Sequence, residues 1–303
     1  MRKVVDNVYI VNPYDPNGTG CCVYMVDTKS DEGLVLIDAG MDIELLRVIE
    51  EDGFDLKDIK HCIITHGHID HYGVCNKLKE FSKDIKFYAH ELDAEDNELK
   101  IRDPNTAQMY ADYKYDPIKI NRIIKNDNEI LKFGNYEFNC IHIPGHTPGS
   151  VAYLLETSGK RILFGGDLPG IAINYQGGNL DAYLKSMQKL LELKIDISCE
   201  GHEDLIEPAE KVLKFIKGYM ELNKNLNIVV LENPSDTNAL LKLALISYEL
   251  EFYEMTLDFC NYLLEIQPDN EKAQKLLKET KKHNPTKFEW IKNIINRASR
   301  SEN

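Results

Sequence analysis

Six consecutive residues, His66-Gly67-His68-Ile69-Asp70-His71, constrain this 303-residue chain more than any other feature. Three imidazoles and a carboxylate in so short a run are costly to bury unless they are hydrogen-bonded or bound to metal. The plain alternative is a solvated polar loop. Its setting argues for metal: His61-Cys62-Ile63-Ile64-Thr65 reads as a strand that delivers the chain into the run at its C-terminal end, where open α/β sheets bind ligands. His66 and His68, two apart, can face one ion while Asp70 and His71 turn toward another. Imidazole with carboxylate suits zinc and other borderline divalent ions. Two ions need more ligands than this loop holds.

The rest of the chain tells where further ligands can come from. Val8 to Val11, Cys22 to Val26 and Leu34 to Ile37 are short apolar runs separated by turn residues, and they read as strands. Ile43 to Glu51 has helical spacing with Gly53 as its stop. Residues 91 to 126 have no clean period and read as an irregular or helical insertion, a candidate lid carrying Tyr110, Tyr113 and Tyr115. Ile130 to Phe133, Tyr136 to Ile143, Val151 to Leu155 and Arg161 to Phe164 then follow as consecutive hairpins, with Ile195 to Cys199 as the last strand. From Pro208 onward the pattern is helical, and the composition shift sets an expected boundary: a catalytic domain over 1–218 and a helical region over 219–303. Pro234 and Pro268, with Leu240, Leu243, Ala244 and Cys260 between them, loosely follow tetratricopeptide spacing. One such unit cannot bury its own face, so it is expected to pack on the catalytic domain, a second subunit or another protein.

Three isolated motifs each follow a strand: Pro144-Gly145-His146-Thr147-Pro148-Gly149, Gly165-Gly166-Asp167 and Gly201-His202. Singly they say little. In this order, with the first run and with Leu36-Ile37-Asp38-Ala39-Gly40, the sequence resembles the metallo-β-lactamase superfamily over roughly residues 4 to 206. The resemblance implies an αββα sandwich, here followed by an all-α C-terminal region. It also implies that His66, His68 and His146 hold one metal, that Asp70, His71 and His202 hold the other, and that Asp167 bridges them. Asp38 would hydrogen-bond beside the site without ligating. The remaining histidines, His61, His90, His142 and His283, lie outside the motifs and read as ordinary polar or supporting residues.

The expected function is a dinuclear metal-dependent hydrolase. A shared water with lowered pKa attacks an ester, lactone, thioester or phosphoester, and Asp70 orients it or handles its proton. Zinc is the expected metal, with iron or manganese as alternatives. Tyr72 is a candidate substrate contact, with packing as its other role. Tyr72 and Val74 stand where hydroxyacylglutathione hydrolases carry a small residue and a glycine, and Leu168-Pro169-Gly170 also departs from that branch. Two rivals from other classes are an iron-dependent oxidoreductase of the same fold and a binding module built on the helical tail. The di-iron oxidoreductases replace a first-motif histidine with glutamate, whereas His68 is present here.

Composition sets the partners. Lys+Arg 36 against Asp+Glu 50 gives a net charge of −14, which repels a polyanion and points to a small-molecule substrate rather than nucleic acid. The N-terminus lacks the apolar run of a signal peptide, and no stretch is long enough for a membrane span. Seven cysteines with no CxxC pair read as reduced thiols. The expected location is therefore the cytoplasm.

Overall fold

In a computed structural model of the chain, residues 1–12, 20–100, 116–168, 170–172, 178–286 and 289–301 are described. Period-2 apolar patterning in the first two thirds produces two sheets that pack face to face. The larger runs β1 (Arg2–Val5), β2 (Val8–Asn12), β3 (Val23–Asp27), β4 (Leu34–Ile37), β5 (Ile59–Ile63), β6 (Lys86–His90) and β9 (Arg122–Ile124) in that spatial order. Its pairs are antiparallel up to β4 and parallel from β4 to β9. A separate ladder joins β7 (Glu98–Leu99) to β8 (Ile118–Lys119). The smaller sheet holds β10 (Glu129–Phe133), β11 (Tyr136–His142), β12 (Val151–Thr157), β13 (Lys160–Gly166) and β14 (Ile197–Glu200) in sequence order, with β13 and β14 parallel.

Alternation sorts each strand's side chains between layers. Tyr24, Val26, Val35, Ile37 and Ile63 from the large sheet meet Phe138, Cys140, Tyr153, Leu155, Ile162 and Phe164 from the small one. Their odd-numbered or even-numbered neighbours face outward. Met25, Leu36, Cys62 and Phe87 are covered by the turn Ile43–Arg47 and by α1 (Val48–Glu51), α2 (Ile69–Tyr72) and α3 (Cys75–Phe81). Ile141, Ala152, Leu154 and Leu163 are covered by α4 (Leu180–Leu191) and the first half of α5 (Ala209–Asn227). This is the expected αββα sandwich.

The described part of the 91–126 segment, expected as an irregular or helical insertion, is mostly turn and loop with three short strands, and Leu99, Ile118 and Ile120 return to the core of the large sheet. Tyr110, Tyr113 and Tyr115 lie outside the described residues. The expected helix at 43–51 begins as a 3₁₀ turn, since Asp42 accepts the Glu44 N–H and only Val48–Glu51 closes into α.

The C-terminal region is helical as expected. After α5 come a π turn (Ile228–Glu232), α6 (Thr237–Glu249), α7 (Tyr253–Ile266), α8 (Glu271–Thr280) and α9 (Ile291–Ser301). Asp236 and Asn270 cap α6 and α8, and the Asp258 carboxylate accepts the Trp290 and Ile291 N–H groups at the start of α9. Position 218 falls inside α5. Val212, Phe215, Ile216 and Tyr219 of that helix belong to the core under the small sheet, while Leu222 and Leu226 belong to the core of the C-terminal helices. No helix among the described residues is long and apolar enough to cross a membrane.

Candidate metal centre

Five strand ends converge on one edge of the sandwich. β4 leads to Asp38, β5 to Thr65 and His66, β11 to the loop with His146, β13 to Asp167 and β14 to His202. Backbone bonds lock these ends together: Val151 N–H donates to Thr65 O at 2.8 Å, Gly201 N–H to Gly166 O at 2.7 Å and Cys22 N–H to Gly201 O at 2.6 Å. Each sequence-predicted candidate other than Tyr72 stands at this edge.

Seven side chains form two groups sharing one carboxylate. In the first, His68 Nδ1 lies 3.0 Å from both His66 Nε2 and His146 Nε2. Asp167 Oδ2 stands 3.3 Å from His146 Nε2 and 3.8 Å from His66 Nε2. In the second, His202 Nε2 is 3.0 Å from Asp70 Oδ2, and His71 Nε2 is 3.7 Å from it. Asp167 Oδ1 lies 3.1 Å from His71 Nε2 and 3.5 Å from His202 Nε2. A tetrahedral site with Zn–N near 2.0–2.1 Å would space its nitrogens by roughly 3.3 Å. The two groups therefore have the spacing of ligand sets.

The chemistry of the donors supports the same fit. Although His71 Nε2 and Asp167 Oδ1 are close, neither makes a hydrogen bond of acceptable geometry, and both atoms are buried. Burying orphaned polar atoms costs free energy that a cation between them would recover. Burial, reinforced by His71, holds His66 well below its ordinary pKa, and burial with His146 brings His68 down to about 4. Burial would raise Asp167, yet His202, His71 and His66 outweigh it and keep the carboxylate ionised. Burial would lower His71 and His202 as well, yet the acidic groups around them, Asp167 among them, outweigh it and raise both. Neutral imidazoles and an ionised carboxylate are the forms that bind metal, so a cation here would displace protons from those two.

Asp38 bonds to Thr65 and His71 beside these two groups. At φ +59°, its Oδ1 accepts Thr65 N–H at 2.8 Å, and its Oδ2 accepts Thr65 Oγ1–H and His71 Nδ1–H, each at 2.8 Å. This places a His71 proton on Nδ1 and turns Nε2 toward Asp167. Cys21 joins Asp38 and His71 in a third buried group, but burial pushes its thiol up to about 12, so it stays protonated near neutrality. Tyr72 is 2% exposed and packs in the core outside the large sheet, the packing role of the two expected for it. His90 and His142 stack at 4.2 Å, and His142 Nε2 donates to Pro148 O beneath the His146 loop.

One supporting residue has no signature in the sequence. The Asp93 carboxylate accepts Gly67 N–H at 2.7 Å, Thr147 Oγ1–H at 2.7 Å and Gly149 N–H at 2.8 Å. It thus ties the loop bearing His66 and His68 to the loop bearing His146. A Cβ at Gly149 would lie 2.6 Å from the Asp93 carboxylate carbon, which is why that position is glycine. Asp93→Ala leaves the buried Gly149 N–H and the part-buried Gly67 N–H without acceptors, at a cost of about 3 kcal/mol. For a chain of this size, that lowers Tm by roughly 5 °C in differential scanning fluorimetry; an unchanged Tm would remove the tie.

The sequence profile of the Metallo-beta-lactamase superfamily matches residues 17–202, and the chain belongs to that superfamily. Among curated relatives, an uncharacterised protein of Aquifex aeolicus is 34% identical over 203 residues, covering 64% of this chain and 89% of its own. The hydroxyacylglutathione hydrolase GloC of Haemophilus influenzae is 32% identical over 181 residues, covering 55% of this chain and 78% of its own. Among solved structures, a B3 metallo-beta-lactamase with an active-site glutamic acid shares the fold with TM-score 0.60 at 20% identity, over 75% of this chain and 90% of that one.

Proposed function

We propose that this chain hydrolyses an acyl ester-type bond of a small molecule, thioesters first, at a dinuclear centre held by His66, His68, His146, Asp70, His71, His202 and the shared Asp167. It is a metal-dependent hydrolase of its superfamily; the bond and the ligand roles are our reading. The observation that carries it is Asp167, whose two carboxylate oxygens face two separate histidine groups. Bound there, two divalent ions would activate a water and polarise the substrate's oxygen. We assign Asp70 the orienting of that water or the handling of its proton, a role supported by its position 3.0 Å from His202 Nε2. The thioester preference is supported by GloC and by the acyl-coenzyme A thioesterase MBLAC2 of Gallus gallus, 24% identical over 173 residues, 52% of this chain and 61% of its own.

Zinc is the metal we propose, from the imidazole-carboxylate donor set. A net charge of −14 supports a small-molecule substrate over nucleic acid. Seven buried cysteines, all free thiols, support a reducing compartment, and we place the protein in the cytoplasm. We keep a catalytic domain over 1–218 and a tetratricopeptide-like helical region over 219–303 as a proposed division, with the outer face of the helical region open to a homodimer or protein partner.

The test is a panel of one thioester, one carboxylic ester, one lactone and one phosphodiester, assayed with zinc-reconstituted protein and with Asp167→Ala as control. Turnover of the thioester that vanishes in the control is the expected result. Phosphodiester turnover alone would overturn the acyl reading. Absence of all turnover with two metals bound would overturn the hydrolase assignment to these bonds and favour iron-dependent redox chemistry.

A further inference from the structure

The loop that follows Asp167 is gripped from the C-terminal helices. Gly170 N–H donates to Asp167 O at 2.9 Å, turning the chain back over the His146 ring. The approach is close: a Cβ on Gly170 would fall 2.3 Å from His146 Nδ1. The next carbonyl, Ile171 O, accepts from His146 Nδ1–H at 3.3 Å. A carbonyl can only accept, so this contact fixes the proton on Nδ1 and turns Nε2 toward His68 and Asp167.

A buried side-chain amide grips residues 170–172. Asn223, on the second half of α5 and fully buried, accepts Ala172 N–H through Oδ1 at 2.8 Å and donates through Nδ2 to Gly170 O at 3.3 Å. It therefore clamps the backbone on both sides of Ile171. The same Nδ2 also donates to Tyr219 O at 3.2 Å, one turn back along its own helix, which fixes the amide's orientation. The Ile171 side chain meanwhile packs against the core formed by the C-terminal helices. Thus both the backbone and the side chain of the segment that touches His146 are anchored in a region that the superfamily profile, ending at residue 202, does not include.

We propose that Asn223 is a positioning residue of the metal centre: through residues 170–172 it orients the His146 imidazole, so the helical C-terminal region forms part of the support of that ligand set. The proposal rests on His146 being a metal ligand.

Four variants of the full chain separate the possibilities: His146→Ala, Asn223→Ala, Asn223→Asp and Asn225→Ala. Asn225 is a matched control, because it is also buried on α5 but donates only to Glu221 O within the helix, at 2.7 Å. Zinc affinity is read by competition with a chromophoric chelator, alongside Tm of the metal-free proteins. Supporting residues of this kind contribute about 10- to 100-fold in affinity. The expected result is that Asn223→Ala weakens one of the two zinc ions about 10-fold, His146→Ala weakens the same ion more, and Asn225→Ala leaves both unchanged at a comparable Tm loss. Asn223→Asp keeps the acceptor for Ala172 N–H but sets a carboxylate oxygen against Gly170 O. It is expected to weaken the same ion, and it stands in if the alanine variant does not fold. Unchanged zinc binding in His146→Ala overturns the ligand reading itself. Weakening in His146→Ala, with Asn223 variants indistinguishable from Asn225→Ala, overturns the positioning role alone.

Discussion

Asp167→Ala is expected to lower kcat/KM on the best substrate of the panel by roughly three orders of magnitude, since metal activation supplies several kcal/mol and each factor of ten is about 1.4 kcal/mol. Bound zinc, measured by elemental analysis after gel filtration, should fall from two ions per chain to one or fewer. The reason is geometric. Asp167 Oδ2 faces His66 and His146, and Oδ1 faces His71 and His202, so both groups lose an anionic member at once. Removing that carboxylate leaves Asp70 as the remaining carboxylate of the two groups, so less negative charge offsets a cation placed among them. Full activity with two retained ions would refute the shared role.

Asp38→Ala is the second large effect, and it separates support of the site from membership in it. The carboxylate receives three hydrogen bonds from Thr65 and His71, all buried. Truncation is expected to cost about 3–5 kcal/mol, the range for stripping a partner from a buried charged network. Alanine would in addition have to occupy φ +59°, a conformation that disfavours a side chain without a local polar bond. Asp38→Asn tests the metal side without the backbone cost, because asparagine tolerates positive φ. With its Oδ1 accepting Thr65 N–H, its amide group would point at His71 Nδ1 and drive the imidazole proton to Nε2, the atom that faces Asp167. Zinc affinity should fall about 10- to 100-fold, measured by chelator competition, while Tm changes much less than in the alanine variant. Wild-type affinity in Asp38→Asn would show that the tautomer is set elsewhere.

Much of the catalytic layer was legible because its determinants are local. Strands such as Leu34–Ile37 carry their burial pattern in four residues, and the ligands follow strand ends with glycines beside them. Spacing within the first run separates His66 and His68 from Asp70 and His71, and the superfamily resemblance adds His146 to one pair and His202 to the other; in the structure His68 lies 3.0 Å from His66 and His146, and His202 lies 3.0 Å from Asp70. The residues that escaped sequence reading act across long separations. Asp93 reaches Gly67 and Gly149, and Asn223 reaches Gly170 and Ala172, yet each is an ordinary polar residue in an ordinary-looking segment. Nothing about an asparagine on an amphipathic helix announces that its partner lies some fifty positions earlier. The edge strand Arg2–Val5 was missed for a different reason: half of it is exposed, so it lacks the apolar density by which strands are recognised.

Helix α5 has a thermodynamic consequence. Its first half completes the core beneath the small sheet, and its second half completes the core of the C-terminal helices. An α-helix transmits loss of order along its length, because each turn's hydrogen bonds depend on its neighbours. Neither core can melt without fraying a helix the other requires, so the two regions on either side of residue 218 are expected to unfold together, as a single calorimetric transition. Local breathing of the distal helices is thereby coupled to the whole protein, and the catalytic edge inherits the rigidity of a molecule half again its own size.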